Sequence, residues 1–139
     1  MNKYLKPIPV AQPESEFYWD MAKQGELWLR HCQACDETYF YPRDICPACF
    51  SRDTDWIQSS GKGVLHTFTI VHRAPNPAFE GDVPYVVAIV ELEGRARIPS
   101  NLIDVEASTK KIKVGMAVEV VFEDLNEQIS LPKFKPVGP

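Results

Sequence analysis

Read for apolar and polar positions alone, the chain changes period twice. Residues 1–12 read as an extended arm, because Pro7 and Pro9 interrupt any helix. "PESEFYWDMAKQG" then has the marks of a short helix. Pro13 suits the first turn, Glu14 and Glu16 suit the positive end of the helix dipole, and Gly25 suits the stop. After it the pattern alternates: in "ELWLRHC", Leu27 and Leu29 fall opposite Trp28 and Arg30, as in a short strand. "TYFYP" and "DTDWIQ" offer two more, so residues 27–57 read as a small three-stranded ribbon.

From Gly61 the alternation lengthens. "GKGVLHTFTIVHR" puts Val64, His66, Phe68, Ile70 and His72 on one face and Leu65, Thr67, Thr69 and Val71 on the other. "PYVVAIVELEG" is almost continuously apolar, as a strand near the centre of a sheet is. "RARIPSNLID", interrupted at Pro99, gives a third strand. "GMAVEVVFED", with Val118, Val120 and Phe122 facing one way, gives a fourth, and "PKFKPV" a fifth. Five strands, with only the polar spacer "VEASTKK" among them, match a small antiparallel barrel of the OB-fold type. The expected fold is therefore mainly β: an arm and helix over 1–26, a ribbon over 27–57 and a five-stranded barrel over 58–139, with "IQSSGKG" as the linker.

Composition narrows the function classes. The chain has 139 residues, 45% of them hydrophobic, enough to bury a sizeable core. Asp plus Glu number 19 and Lys plus Arg 15, a net charge of -4, which argues against a nucleic-acid binder. Neither a leader-like apolar run nor a stretch near the ~20 apolar residues of a membrane helix is present, so a cytoplasmic location is expected. In a reducing compartment, paired cysteines are metal ligands more often than disulfides.

All four cysteines lie in "CQACDETYFYPRDICPAC". Cys32 and Cys35 form one Cys-x-x-Cys pair, Cys46 and Cys49 the other. Two residues between ligands let one tight turn present both thiolates to one ion, and two such turns complete a tetrahedral shell. Zinc prefers that shell. Neither pair opens a helix after a strand, as a redox pair does, and four thiolates leave no open position for catalysis. His31 beside Cys32 reads as packed or solvent-facing rather than as a ligand. The residue after each second cysteine is Asp36 or Phe50, where a left-handed backbone usually calls for glycine.

Taken together, the helix "EFYWDMAKQGEL", the cysteine pairs with Tyr41-Pro42-Arg43 between them, the strand entry Ser60-Gly61-Lys62-Gly63 and the central strand at Pro84-Tyr85 resemble a known family. It is the rubredoxin-like zinc ribbon plus OB-fold family, domain of unknown function 35. The resemblance runs from about Glu14 to Pro136. It implies a structural zinc on Cys32, Cys35, Cys46 and Cys49. It also implies an accessory subunit that binds a thiolase-like enzyme of acyl-CoA metabolism and helps enclose acyl-CoA. Anionic CoA would need basic contacts, for which Arg73, Lys133 and Lys135 are the candidate donors.

Two features bear on partner binding. Phe17, Tyr18 and Trp19 are consecutive and span about 200° of a helix surface, too wide for one narrow stripe. Either one side meets a partner or the helix is sandwiched within its own fold. The loop "APNPAFEGDVP" is long for a hairpin and would carry Phe79 as an exposed aromatic at its tip, as a lid or as a plain surface loop. A nucleophile paired with a base is not legible. "SSGKG" lacks the upstream glycine of a phosphate loop and has Gly63 where Ser or Thr should bind magnesium. His66 and His72 read as packed or barrel-mouth histidines. The competing function is single-stranded nucleic-acid binding, for which Phe68, Tyr85 and Phe122 could supply rings but no basic groove is evident.

Overall fold

The computed structural model describes residues 5–138, so the first residues of the expected arm lie outside the described residues. A short 3-10 turn at Pro13–Ser15 leads into α1 (Glu16–Lys23). β1 (Trp28–Cys32), β2 (Thr38–Tyr39) and β3 (Thr54–Gln58) form a three-stranded antiparallel sheet with β1 in the middle. β4 (Lys62–Val71), β5 (Tyr85–Glu91), β6 (Arg97–Leu102), β7 (Ala117–Asp124) and β8 (Ser130–Pro136) close into a barrel of order β4-β5-β6-β8-β7. The expected fold class is what the chain adopts: mainly β, one N-terminal helix, a ribbon and a five-stranded barrel. Closure is uneven. β4 meets β7 only over Lys62–Val64, and β6 meets β8 in parallel at one pair, Leu102 opposite Phe134.

One apolar core crosses from ribbon to barrel. Leu27 and Leu29, on the inner face of the ribbon, are buried together with Leu65, Val90, Ile98, Val118 and Phe134 of the barrel. Tyr18 of α1 joins the same core. The junction is accordingly tight. Ser59 is buried and donates its N–H to the Leu27 carbonyl at 2.8 Å. Glu93, on the turn between β5 and β6, accepts from Ser59 Oγ and from the Ser60 N–H, both at 2.7 Å. Two glycines make this approach possible. A Cβ on Gly94 (φ 63°) would lie 2.5 Å from Thr38 of the ribbon, and one on Gly61 (φ 80°) 2.5 Å from Val120 of the barrel. Both positions need the left-handed backbone and the missing side chain at once.

Two sequence expectations change here. A β-bulge between Leu65 and Thr67 leaves His66 out of the β4–β5 register. One extra residue reverses the alternation. Leu65 therefore points inward along with Phe68 and Ile70, and Val64 is exposed rather than sharing their face. The spacer between β6 and β7 is also more than polar filling: Ile112 is 1% exposed and belongs to the barrel core, with Val105, Ala107 and Met116 packed against it.

Candidate metal centre

Each cysteine pair sits on a knuckle built from backbone hydrogen bonds. In the first, the Cys32 carbonyl accepts from the Asp36 N–H at 2.9 Å, and the Cys32 N–H donates to the Glu37 carbonyl at 2.8 Å. The second repeats the pattern: the Cys46 carbonyl accepts from Phe50, and the Cys46 N–H donates to Ser51, both at 2.9 Å. Asp36 and Phe50 are left-handed, with φ of 65° and 63°, as their positions after the second cysteines required. Phe50 is 77% exposed, so its ring meets no obstacle and the strain is confined to the backbone. Such strain costs roughly 1–2 kcal/mol. Phe50 does not distort the second knuckle, whose hydrogen bonds match those of the first.

The four Sγ atoms lie within 4.8 Å of one another. Cys32 Sγ is 3.6 Å from Cys49 Sγ, and Cys35 Sγ 3.6 Å from Cys46 Sγ. A tetrahedron with Zn–S bonds of about 2.3 Å has edges of about 3.8 Å, so the thiols stand where a zinc ion would hold them. Their proton affinities are split. Burial pushes the Cys46 thiol up, but the N–H groups of Cys49 and Ala48 and the neighbouring thiols outweigh it and bring it down to about 7. At Cys35 the Glu37 N–H works downward, yet burial and the three other sulfurs push the thiol up to about 12. A dication at the centre removes the conflict by stabilising all four thiolates. His31 is occupied elsewhere: Nε2 is 2.9 Å from Asp36 Oδ1 and Nδ1 2.9 Å from Thr38 Oγ1, so it braces the first knuckle. The donor set, four sulfurs and no open position, is that of a structural zinc site.

The expected partner-binding aromatics divide. Tyr18 is 2% exposed and lies inside the chain's own core, which removes it from any surface contact and pushes its hydroxyl pKa upward by desolvation. Trp19 is half-buried edge-on to Tyr18, at 4.9 Å between centroids. Phe17 remains 36% exposed and stands 5.2 Å from Trp28 and 4.9 Å from Trp56, forming an aromatic cluster on the outer face of helix and ribbon. The two tryptophans were not singled out in the sequence, although their places on strands pairing across the ribbon (Trp28 opposite Gln58, Trp56 opposite Arg30) are one strand apart. Arg30 stacks beneath Trp56 at 4.7 Å and donates to Thr54 Oγ1 at 2.5 Å.

Phe79 is half-buried, not an exposed tip: it stacks on Tyr85 at 5.9 Å. Lys6 lies over its ring at 5.7 Å and pairs with Asp82 at 2.6 Å, so the N-terminal arm crosses this loop. Lys133 and Lys135 are neighbours on the outer side of β8, each facing a β7 carboxylate, Glu123 and Glu119, at 3.9 Å. Arg73 is exposed beyond the end of β4, on a different element. No hydrogen bond or ion pair joins the three into one site among the described residues.

Fold and metal centre together define a zinc ribbon docked on an OB barrel. Two family models match: "ChsH2, rubredoxin-like zinc ribbon domain" over residues 19–55 and "ChsH2, C-terminal OB-fold domain" over residues 56–123. A Pyrococcus furiosus "DUF35 domain-containing scaffold protein" is 43% identical over 122 residues, which cover 88% of this chain and 84% of that protein. The chain belongs to this DUF35 family. A "Probable enoyl-CoA hydratase alpha subunit" of Thermomonospora curvata is 35% identical over 137 residues, 99% of this chain but 42% of its own, so the chain spans less than half the length of that relative. Among solved structures, a chain of an "Ltp2-ChsH2(DUF35) aldolase" superposes with a TM-score of 0.77 at 34% identity, covering 93% of this chain and 98% of that one. No helix among the described residues is long and apolar enough to cross a membrane.

Proposed function

We propose that this chain is a non-catalytic scaffold subunit that docks on a thiolase-like enzyme and helps to enclose the acyl-CoA that enzyme works on, in lipid, steroid or polyketide-type metabolism. The observation that carries the reading is the likeness, over nearly the full length of both chains, to the DUF35 chain of an aldolase assembly. Two features of the chain support it. The thiolate cluster has no free coordination position, so it shapes a surface rather than performing chemistry. Phe17, with Trp28 and Trp56 behind it, offers a partly exposed aromatic cluster of the kind that anchors interfaces. Phe79 and Trp19 are the secondary contacts in this reading, and Arg73, Lys133 and Lys135 its candidate CoA donors.

The test is co-expression with the thiolase-like protein encoded nearest to this chain in its host. A stable complex of defined stoichiometry is expected, with acyl-CoA turnover in the complex and none by this chain alone. Phe17→Ala should weaken the complex. Turnover by the isolated chain, or failure of every such enzyme to associate with it, would overturn the reading. A salt-dependent shift of a labelled oligonucleotide would instead favour single-strand binding.

A further inference from the structure

The end of the β4–β5–β6 sheet nearest the ribbon carries two local irregularities that bring basic side chains to one place. The bulge in β4 turns out His66, whose Nδ1 stands 3.9 Å from Glu91 Oε2. On the next turn Arg95 is left-handed, with φ 66°, directly after left-handed Gly94, and its Nε is 3.8 Å from Glu91 Oε1. Arg97, opposite Glu91 in the β5–β6 register, places its Nε 3.6 Å from Oε2. Bulges re-aim side chains and strained residues persist where something holds them, and both tend to mark working sites.

The charges do not balance within the cluster. Around Glu91 one carboxylate faces two guanidiniums and an imidazole, a positive excess at that point, while the neighbouring carboxylate of Glu93 is engaged by Ser59 Oγ and the Ser60 N–H. The distances of 3.6 to 3.9 Å exceed those of charge-assisted hydrogen bonds, about 2.7–2.9 Å. Among the described residues neither guanidinium donates a hydrogen bond to a protein acceptor, and Arg95 is 85% exposed on its side chain. A planar array of unused N–H donors around a positive excess is the arrangement that takes a phosphate in bidentate fashion. The sheet face leading away from it is free of charge: Thr67, Thr69, Val87 and Pro99 are its exposed positions. It runs toward Tyr85 and Asn101, which line a cavity of about 280 Å³.

We infer that His66, Arg95 and Arg97 form a binding site for the phosphate or diphosphate end of an elongated ligand, with Glu91 holding the guanidiniums apart until the phosphate arrives. The uncharged face beyond would accommodate the ligand's neutral arm. This deepens the acyl-CoA reading above and rests on it only for the identity of the phosphate-bearing molecule. It places the anionic end away from Arg73, Lys133 and Lys135.

The experiment is a titration of the zinc-loaded full chain at low ionic strength, followed by amide shifts, with inorganic pyrophosphate and separately with coenzyme A. Saturable shifts centred on His66, Arg95 and Arg97 are expected with both, and tighter binding with coenzyme A. Arg97→Gln should weaken pyrophosphate binding roughly tenfold, the scale of one charge-assisted contact. Arg95→Gly is the sharper variant, because glycine relieves the left-handed strain. It should melt no lower than the parent chain and still lose about tenfold in pyrophosphate affinity. The site does not exist if pyrophosphate gives no saturable shift, or if the Arg95→Gly, Arg97→Gln double variant binds as the parent does. Pyrophosphate binding without coenzyme A binding would retain the phosphate site and overturn its link to acyl-CoA. Failure of the enzyme complex with both titrations intact would overturn only the scaffold reading.

Discussion

The knuckle end of the ribbon and the barrel both use antiparallel strands, yet different forces hold them. At the knuckle end the buried cluster is Cys32, Tyr39 and Cys46, so two of its three members are metal ligands. In the barrel the buried cluster is aliphatic and aromatic, from Leu65 through Ile98 and Val118 to Phe134. A small ribbon cannot remove enough apolar surface from water to offset the entropy of ordering its loops. A five-stranded barrel can. The difference implies that the two ends should respond to different insults, and that each can be broken while the other stands.

Removing the metal is the largest perturbation. Structural zinc supplies on the order of 10 kcal/mol of folding free energy in small modules. A strong chelator should melt residues 32–54, seen as collapse of their amide shifts, while amides of β4 to β8 keep their dispersion. The inner side of β1, where Leu27 and Leu29 enter the barrel core, marks the expected boundary of the damage. Loss of all structure in one step would show instead that knuckles and barrel are a single cooperative unit. The converse insult is Phe134→Ala. Phe134 is wholly buried at the level where β6 and β8 share their one bridge, and truncating a buried phenylalanine costs about 3–5 kcal/mol. The barrel should melt earlier, with the zinc content per chain unchanged at room temperature.

The same contrast explains what the sequence revealed. The cysteine spacing was readable because a knuckle is local: ligands two residues apart and a left-handed residue just after them are set within one turn, and Asp36 and Phe50 occupy those positions as expected. Strand number in the barrel was readable for a similar reason, since alternation is a property of neighbours. Facing was not. The bulge at His66 shifts the phase of β4 by one residue, and nothing local in "VLHTF" announces it. Ile112 looked like part of a polar spacer because its burial depends on the barrel closing around it. Tyr18 looked as available as Phe17, because only the packing of α1 on both ribbon and barrel distinguishes a core ring from a surface one. The joint at Glu93 was equally hidden: its partners Ser59 and Ser60 are more than thirty positions away in the chain.

A smaller change acts on the metal end alone. Phe50→Gly removes a left-handed β-carbon from the second knuckle without removing a packed ring, since Phe50 is exposed. The gain should be about 1 kcal/mol, read as slower transfer of zinc to a competing chelator, with the thermal melt of the barrel unmoved. Faster transfer would mean that the Phe50 ring itself shields the thiolates.

The smallest effect probes the joint between the two ends. Burial would raise the Glu93 pKa, but hydrogen bonds from Ser59 Oγ and the Ser60 N–H override it and hold the carboxyl below its ordinary value of 4.5. A carboxyl whose pKa is depressed in the folded state adds stability above its unfolded pKa and loses it as pH falls through the folded value. The contribution of Glu93 is therefore complete at neutral pH and is lost progressively as pH falls below 4.5 and through the lower folded value. Acid also protonates the cysteine thiolates and releases zinc, so the parent chain alone would not isolate the joint. Comparing it with Glu93→Gln does, because zinc release is common to both. At neutral pH the variant should melt slightly lower than the parent, and the gap should close on acidification through the window below pH 4.5. A gap that stayed constant across that window would show that the Glu93 charge does not hold ribbon to barrel, leaving the Leu27–Leu29 core and the Gly94–Thr38 contact to do so.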